Sequence, residues 1–124
     1  MPIRALAFSL IIAGFAGGVS AAGAAETFRQ LKGSEIAARF KGMEFTDDEV
    51  HWAYVFDRSG RLSSFSMGKK GTGAWRVEKD KLCLDRGSEQ GCYEVWTSSR
   101  NAQLRQPGSD IFEEGILQTP AARQ

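Results

Sequence analysis

From Met43 onward the apolar positions recur at every second residue, the period of a half-buried β-strand. Val50 to Phe56 shows it best. Trp52, Tyr54 and Phe56 fall on one face, with His51, Ala53 and Val55 on the other. Leu62 to Met67 reads as the returning strand after an Asp57-Arg58-Ser59-Gly60 turn. Weaker alternation predicts strands over Met43 to Thr46, Ala102 to Gln106 and Ile111 to Leu117. Thr46 to Glu49, Ser98 to Asn101 and Pro107 to Asp110 read as turns, and Gly68 to Gly73 as a glycine-rich turn. Ahead of Met43 the period changes. Ser34 is a suitable N-cap, Ile36 and Phe40 stand one helical turn apart, and Gly42 fits just past a helix end. So short a helix needs something to pack on. Glu26 to Lys32 reads as a lead-in.

Ala74 to Thr97 sets the register of the rest. A two-residue loop at Lys79-Asp80 places Trp75 opposite Leu84 and Val77 opposite Leu82. A second turn spans Arg86 to Gly91. If Cys83 faces Cys92 across it, Leu82 meets Tyr93, Leu84 meets Gly91 and Lys81 meets Glu94. Trp75, Val77, Leu82, Leu84, Tyr93 and Val95 then share one face. A slip of one residue would mix the faces. Trp96 falls with the cysteines, opposite Lys79. Up to eight short strands joined by turns predict a mainly β fold. A small antiparallel up-and-down barrel, lipocalin-like and with one short N-terminal helix, removes the exposed edges. A strongly curved sheet wrapped on the helix is the alternative.

The chain has 124 residues, and its start reads as an address. Arg4 precedes an uncharged apolar run, Leu6 to Val19, and Ala22-Gly23-Ala24 is a small-residue cleavage motif. Residues 1–25 are therefore expected to be a secretory signal peptide, and 26–124 a single β-barrel-like domain. Ala5 to Ala25 is just long enough to span a membrane. Its Gly/Ala-rich second half argues instead for cleavage, with no stable membrane insertion afterwards. No cysteine stands near the cleavage site to carry a lipid. Cleavage removes one arginine and no acid, taking the formal charge from +1 to 0. A balanced surface gives no electrostatic case for nucleic acid. Two cysteines in an exported chain are most simply a structural disulfide. The expected location is periplasmic or secreted.

Several motifs together carry a resemblance. They are Leu31-x-Gly33-x-Glu35-Ile36, Trp52-x-Tyr54 with Asp57-x-x-Gly60, Gly73-x-Trp75-x-Val77, Leu82-Cys83 and Cys92-Tyr93-x-Val95. The order resembles small exported alphaproteobacterial proteins of a domain family of unknown function, over most of the mature chain. The resemblance implies a periplasmic, disulfide-bearing, lipocalin-like β domain. It brings no catalytic residue with it.

The candidate chemistry is sparse. His51 is the only histidine, and no spacing joins it to a serine and an acid. Asp47-Asp48-Glu49-x-His51 resembles a metal cluster, but strand neighbours point to opposite faces. A solvated loop is the better reading. Gly68-Lys-Lys-Gly-Thr-Gly73 lacks the order of a phosphate-binding loop and leads into a strand, not a helix. Glu113 and Glu114 are adjacent and do not converge as a glycosidase pair would. Cys83 and Cys92 lack the spacing of a redox motif. The expectation is therefore no enzyme, no cofactor and no metal. The aromatic residues remain, as core or as the lining of a groove with polar handles. The candidate binding residues are His51, Trp52, Tyr54, Trp75, Arg76, Tyr93 and Trp96. The expected function is binding of a small apolar ligand or envelope component, in a cavity beneath Trp75 and Tyr93. The alternative is a protein-interaction module, such as a secreted enzyme inhibitor, using Trp96 or the Gly68–Gly73 loop.

Overall fold

The structure is a computed structural model that describes residues 27–121. The signal segment expected over 1–25 lies outside those residues. In chain order the elements are β1 (Arg29–Gln30), α1 (Gly33–Phe40), β2 (Glu44–Thr46), β3 (Trp52–Phe56), β4 (Arg61–Ser66), β5 (Lys69–Glu78), β6 (Lys81–Asp85), β7 (Gln90–Ser98), β8 (Asn101–Arg105) and β9 (Phe112–Gln118). Strands β2 to β9 pair antiparallel with their sequence neighbours, and β9 pairs back onto β2. The result is a closed eight-stranded up-and-down barrel, not an open curved sheet.

The hairpin register follows the alternation. Trp75 pairs with Leu84 and Val77 with Leu82. Leu82 then pairs with Tyr93, Cys83 with Cys92 and Leu84 with Gly91. Cys83 and Cys92 form a disulfide on the outer face. Lys79 and Asp80 both have positive φ, as a primed two-residue turn needs to match the strand twist.

Four expectations need correction. The stretch Gly68–Gly73 is not a turn. The turn is Met67-Gly68, both at positive φ, and β5 begins at Lys69. The later glycines serve the ladder instead. A Cβ on Gly73 would lie 2.0 Å from the Asp85 backbone oxygen, so glycine lets β6 come close. The helix starts at Gly33, and Lys32, not Ser34, is its N-cap. The Glu35 carboxylate accepts the Lys32 N–H at 2.8 Å, and Asp80 Oδ1 accepts the Gly33 N–H at 2.6 Å. These acceptors satisfy the helix start without Ser34. Strand β3 begins at Trp52, not Val50, because Val50 sits at positive φ and Asp47 Oδ1 holds the His51 N–H. Trp96 stands opposite Gln30 and Gln103, not Lys79. The chain turns away at Lys79-Asp80, and β1 takes over that edge of β7.

Successive hairpin turns alternate between the two ends of the barrel. Helix α1 plugs one end. Its Ile36 and Phe40 are fully buried in the interior. Asp80 holds it through Gly33, and Arg39 donates to the Ser99 carbonyl at 3.0 Å, so two turns tie it down. The Phe40 ring meets Phe56 edge-on at 5.0 Å, and Phe56 meets Trp75 at 5.5 Å. Leu62, Leu82, Leu84, Val95, Leu104 and Leu117 fill the space between them. Among the described residues, no helix is long and apolar enough to cross a membrane.

Replacing both cysteines with alanine is expected to lower stability by about 2–3 kcal/mol, the effect of closing a short loop. Urea unfolding followed by circular dichroism measures this; an unchanged midpoint would mean the strands alone hold the register. Gly73→Ala is expected to cost about 1–3 kcal/mol by forcing β5 from β6. The same measurement should place Thr72→Ala, on the exposed face beside it, within about 0.5 kcal/mol of the parent protein.

Candidate functional site

The end opposite α1 is open. The segments 47–51, 67–68, 86–89 and 106–111 connect the strands there. Between them lies a cavity of about 610 Å³, lined by Trp52, Tyr54, Ser64, Ser66, Arg86 and Glu113, with Phe65 and Glu114 also bordering it. Strand pairing puts these residues together. Trp52 stands opposite Ser66 and Tyr54 opposite Ser64. Glu113 stands opposite Leu104 and so shares its inward face. Arg86 continues the inward series Leu82, Leu84 one step beyond the end of β6.

Arg86 is the centre of the site. Its side chain is only 16 % exposed. Nη1 donates to the Tyr54 hydroxyl at 3.1 Å and Nη2 to Glu113 Oε2 at 3.3 Å. The guanidinium carbon lies 4.9 Å from the Tyr54 ring centre and 5.6 Å from that of Tyr93, within cation–π range of both. Gly91 leaves room for this: a Cβ there would come within 2.9 Å of the Tyr93 hydroxyl. The Trp52 ring packs on Phe45 and Tyr54, so the mouth continues the aromatic core. Burial pushes the Tyr54 phenol above its ordinary value, with the Arg86 charge pulling the other way. For Arg86, burial works against the charged form, but Glu113 and then Tyr54 outweigh it and hold the guanidinium above its ordinary value.

The candidate residues named from the sequence separate into groups. Trp52 and Tyr54 line the mouth, and Tyr93 packs beside them on Arg86. Trp75 lies deeper, in the packed half, where its N–H donates to the Asp57 carbonyl at 2.9 Å. The cavity accordingly opens beside Tyr54 and Arg86, not beneath Trp75. Arg76 is exposed on the outer face and pairs with Glu78. Trp96 is half-buried on that same face, with the Arg105 guanidinium 4.1 Å over its ring and its N–H donating to Glu94. His51 stays in the β2–β3 loop, where its Nδ1 lies 2.9 Å from Asp47 Oδ2. Burial raises the Asp47 pKa, but the two bonds to His51 overcome this and hold the carboxyl below its ordinary value. His51 thus stabilises its own loop.

No protein-family model, curated protein or solved structure matches the chain. The site must be read from its own chemistry. Stacking surfaces, three hydroxyls and a guanidinium–carboxylate pair can hold and orient a molecule. The chain's one histidine is not in the cavity wall; the titratable groups there are Tyr54, Arg86, Glu113 and Glu114.

Arg86, Glu113, Ser64 and Ser66 escape the sequence reading. For Arg86 and Glu113 a signal was present. Extending Leu82-x-Leu84 by one step turns Arg86 inward, and stepping back from Leu117 through Gly115 turns Glu113 inward. In alkaline spectrophotometric titration, one of the chain's two tyrosines is expected to ionise above the free phenol range. Tyr54→Phe should remove that late step, and Arg86→Met should move it later still. A single ordinary transition in the parent protein would contradict the burial of Tyr54.

Proposed function

We propose that this is an exported, non-enzymatic protein of the periplasm or secreted space that binds a small ligand in the mouth of its barrel. One observation carries the reading. A guanidinium has five N–H donors, and among the described residues Arg86 gives two of them to Tyr54 and Glu113 while mostly shielded from water. Buried donors without acceptors are costly, and these border a cavity large enough for a small molecule. An eight-stranded barrel can hold one such ligand when its interior is not filled. Here the fully buried core reaches Trp75 and Leu84, and the cavity lies towards the open end beside Tyr54 and Arg86. The disulfide agrees with export to an oxidising compartment.

A second reading is a protein-interaction module. What favours it is that, among the described residues, the exposed large apolar side chains, Val50, Met67, Ile111 and Phe112, all stand at the open end. Native mass spectrometry of the protein recovered from its exported location separates the two. A retained small mass, lost in Arg86→Met, is the expected result. A co-purifying protein with no small mass would favour the second reading and sink the first.

A further inference from the structure

We infer that the ligand is an amphiphile with a neutral, hydroxyl-rich head such as a sugar ring, and that it enters head first. This rests on the mouth being the ligand site. The mouth sets polar groups among its aromatic rings, which a pocket for an apolar tail alone would not need. Its charged pair, Arg86 and Glu113, lies inside, with Ser64 and Ser66 in the same wall. Trp52, Tyr54 and Phe65 line the same cavity, and a second set of apolar residues stands outside on the rim. Val50, Ile111 and Phe112 are about half exposed or more, and Met67 is 91 % exposed. A tail pushed inward would strip water from the ion pair and give no hydrogen bond in return. A polar head pushed inward gives acceptors to Arg86, and the tail then covers the rim.

Charge decides what kind of head. Apart from the Arg86–Glu113 pair, the segments 47–51, 67–70, 86–89 and 106–114 carry six carboxylates against two lysines. A carboxylate or phosphate head would have to pass that acidic rim and then compete with Glu113 for Arg86. A quaternary ammonium would pass the rim but meet the guanidinium inside. Vicinal hydroxyls suit both members of the pair, accepting from Arg86 and donating to Glu113 and the serines. Trp52, half-buried in the wall, offers an apolar ring surface for the C–H face of a sugar.

The test uses three amphiphiles with one tail and different heads: octyl glucoside, octanoate and octyltrimethylammonium. Each is titrated below its micelle threshold into the exported protein, followed by NMR. Octyl glucoside is expected to shift the Trp52 indole and Arg86 side-chain signals and to bind roughly tenfold or more tightly than either charged analogue. Arg86→Met and Glu113→Gln should each weaken it by a similar factor. The exposed double variant Met67→Ser/Phe112→Ser should keep the fold and shrink the advantage of octyl glucoside over glucose. If octanoate or the ammonium binds more tightly at the same signals, the head-group inference fails while the mouth remains the site. If octyl glucoside shifts rim signals without those of Arg86, the head-first orientation fails. If none of the three moves the mouth signals, the inference and the mouth reading fall together.

Discussion

Everything in this molecule depends on the pairing of β9 with β2, where Leu117 stands opposite Phe45 and Ile116 opposite Thr46. Without it the meander is an open sheet with two free edges and one apolar face to cover. With it, every inward position of eight strands becomes interior at once, and the barrel acquires two ends. Strand β2 is three residues long, yet all three are buried. The ladder there is covered on the outside as well: Gln118 donates to the Glu44 carboxylate at 2.9 Å, and Thr46 Oγ1 donates to the Trp52 carbonyl at 2.6 Å. Closure also explains the helix. Eight residues cannot hold a helix alone, but a barrel end offers Ile36 and Phe40 a ring of apolar partners.

The part of the fold most legible in the sequence is the part ruled by period two and short turns. The Trp75, Val77, Leu82, Leu84, Tyr93 and Val95 face needed no tertiary information beyond the cysteine pairing. A two-residue turn leaves one register that keeps apolar residues together. The same logic placed Trp52, Tyr54 and Phe56 on the inner face of β3. In each case the interaction that decides the structure lies between residues close in sequence.

What the sequence concealed depends on contacts far apart in the chain. Asp80 accepts from Gly33 across 47 residues and so displaces Ser34 as the organiser of the helix start. Strand β1 occupies the edge of β7 that the β5–β6 hairpin leaves when it turns, which is why Trp96 finds Gln30 there. The glycines of Gly68–Gly73 look like a loop by composition, but Gly73 is in the ladder because Asp85 approaches its α-carbon. Composition cannot distinguish a glycine that frees the backbone from one that makes room for a neighbour. The site suffered for a related reason. Alternation was read only as far as the last apolar residue of each strand, and a charged residue at the next inward position looked like part of a turn.

That charged residue is the instructive exception. At position 86 the pattern Leu82-x-Leu84 invites a third apolar side chain, which would pack on Tyr54 and Tyr93 and extend the filled half of the barrel. A shielded Arg–Glu pair is a poor substitute on grounds of stability. Desolvation of both ions can match or exceed their attraction, and apolar replacements of similar size are often neutral or better. Here the Arg86 side chain is mostly covered while that of Glu113 remains 39 % exposed, so water weakens the attraction on one side of the pair. Stability therefore does not account for an ion pair set among the rings and hydroxyls of the cavity wall. Local departures from an otherwise consistent pattern are expected where a structure meets its ligand. The pair borders a cavity at the level where a leucine would have packed on Tyr54 and Tyr93 and extended the core.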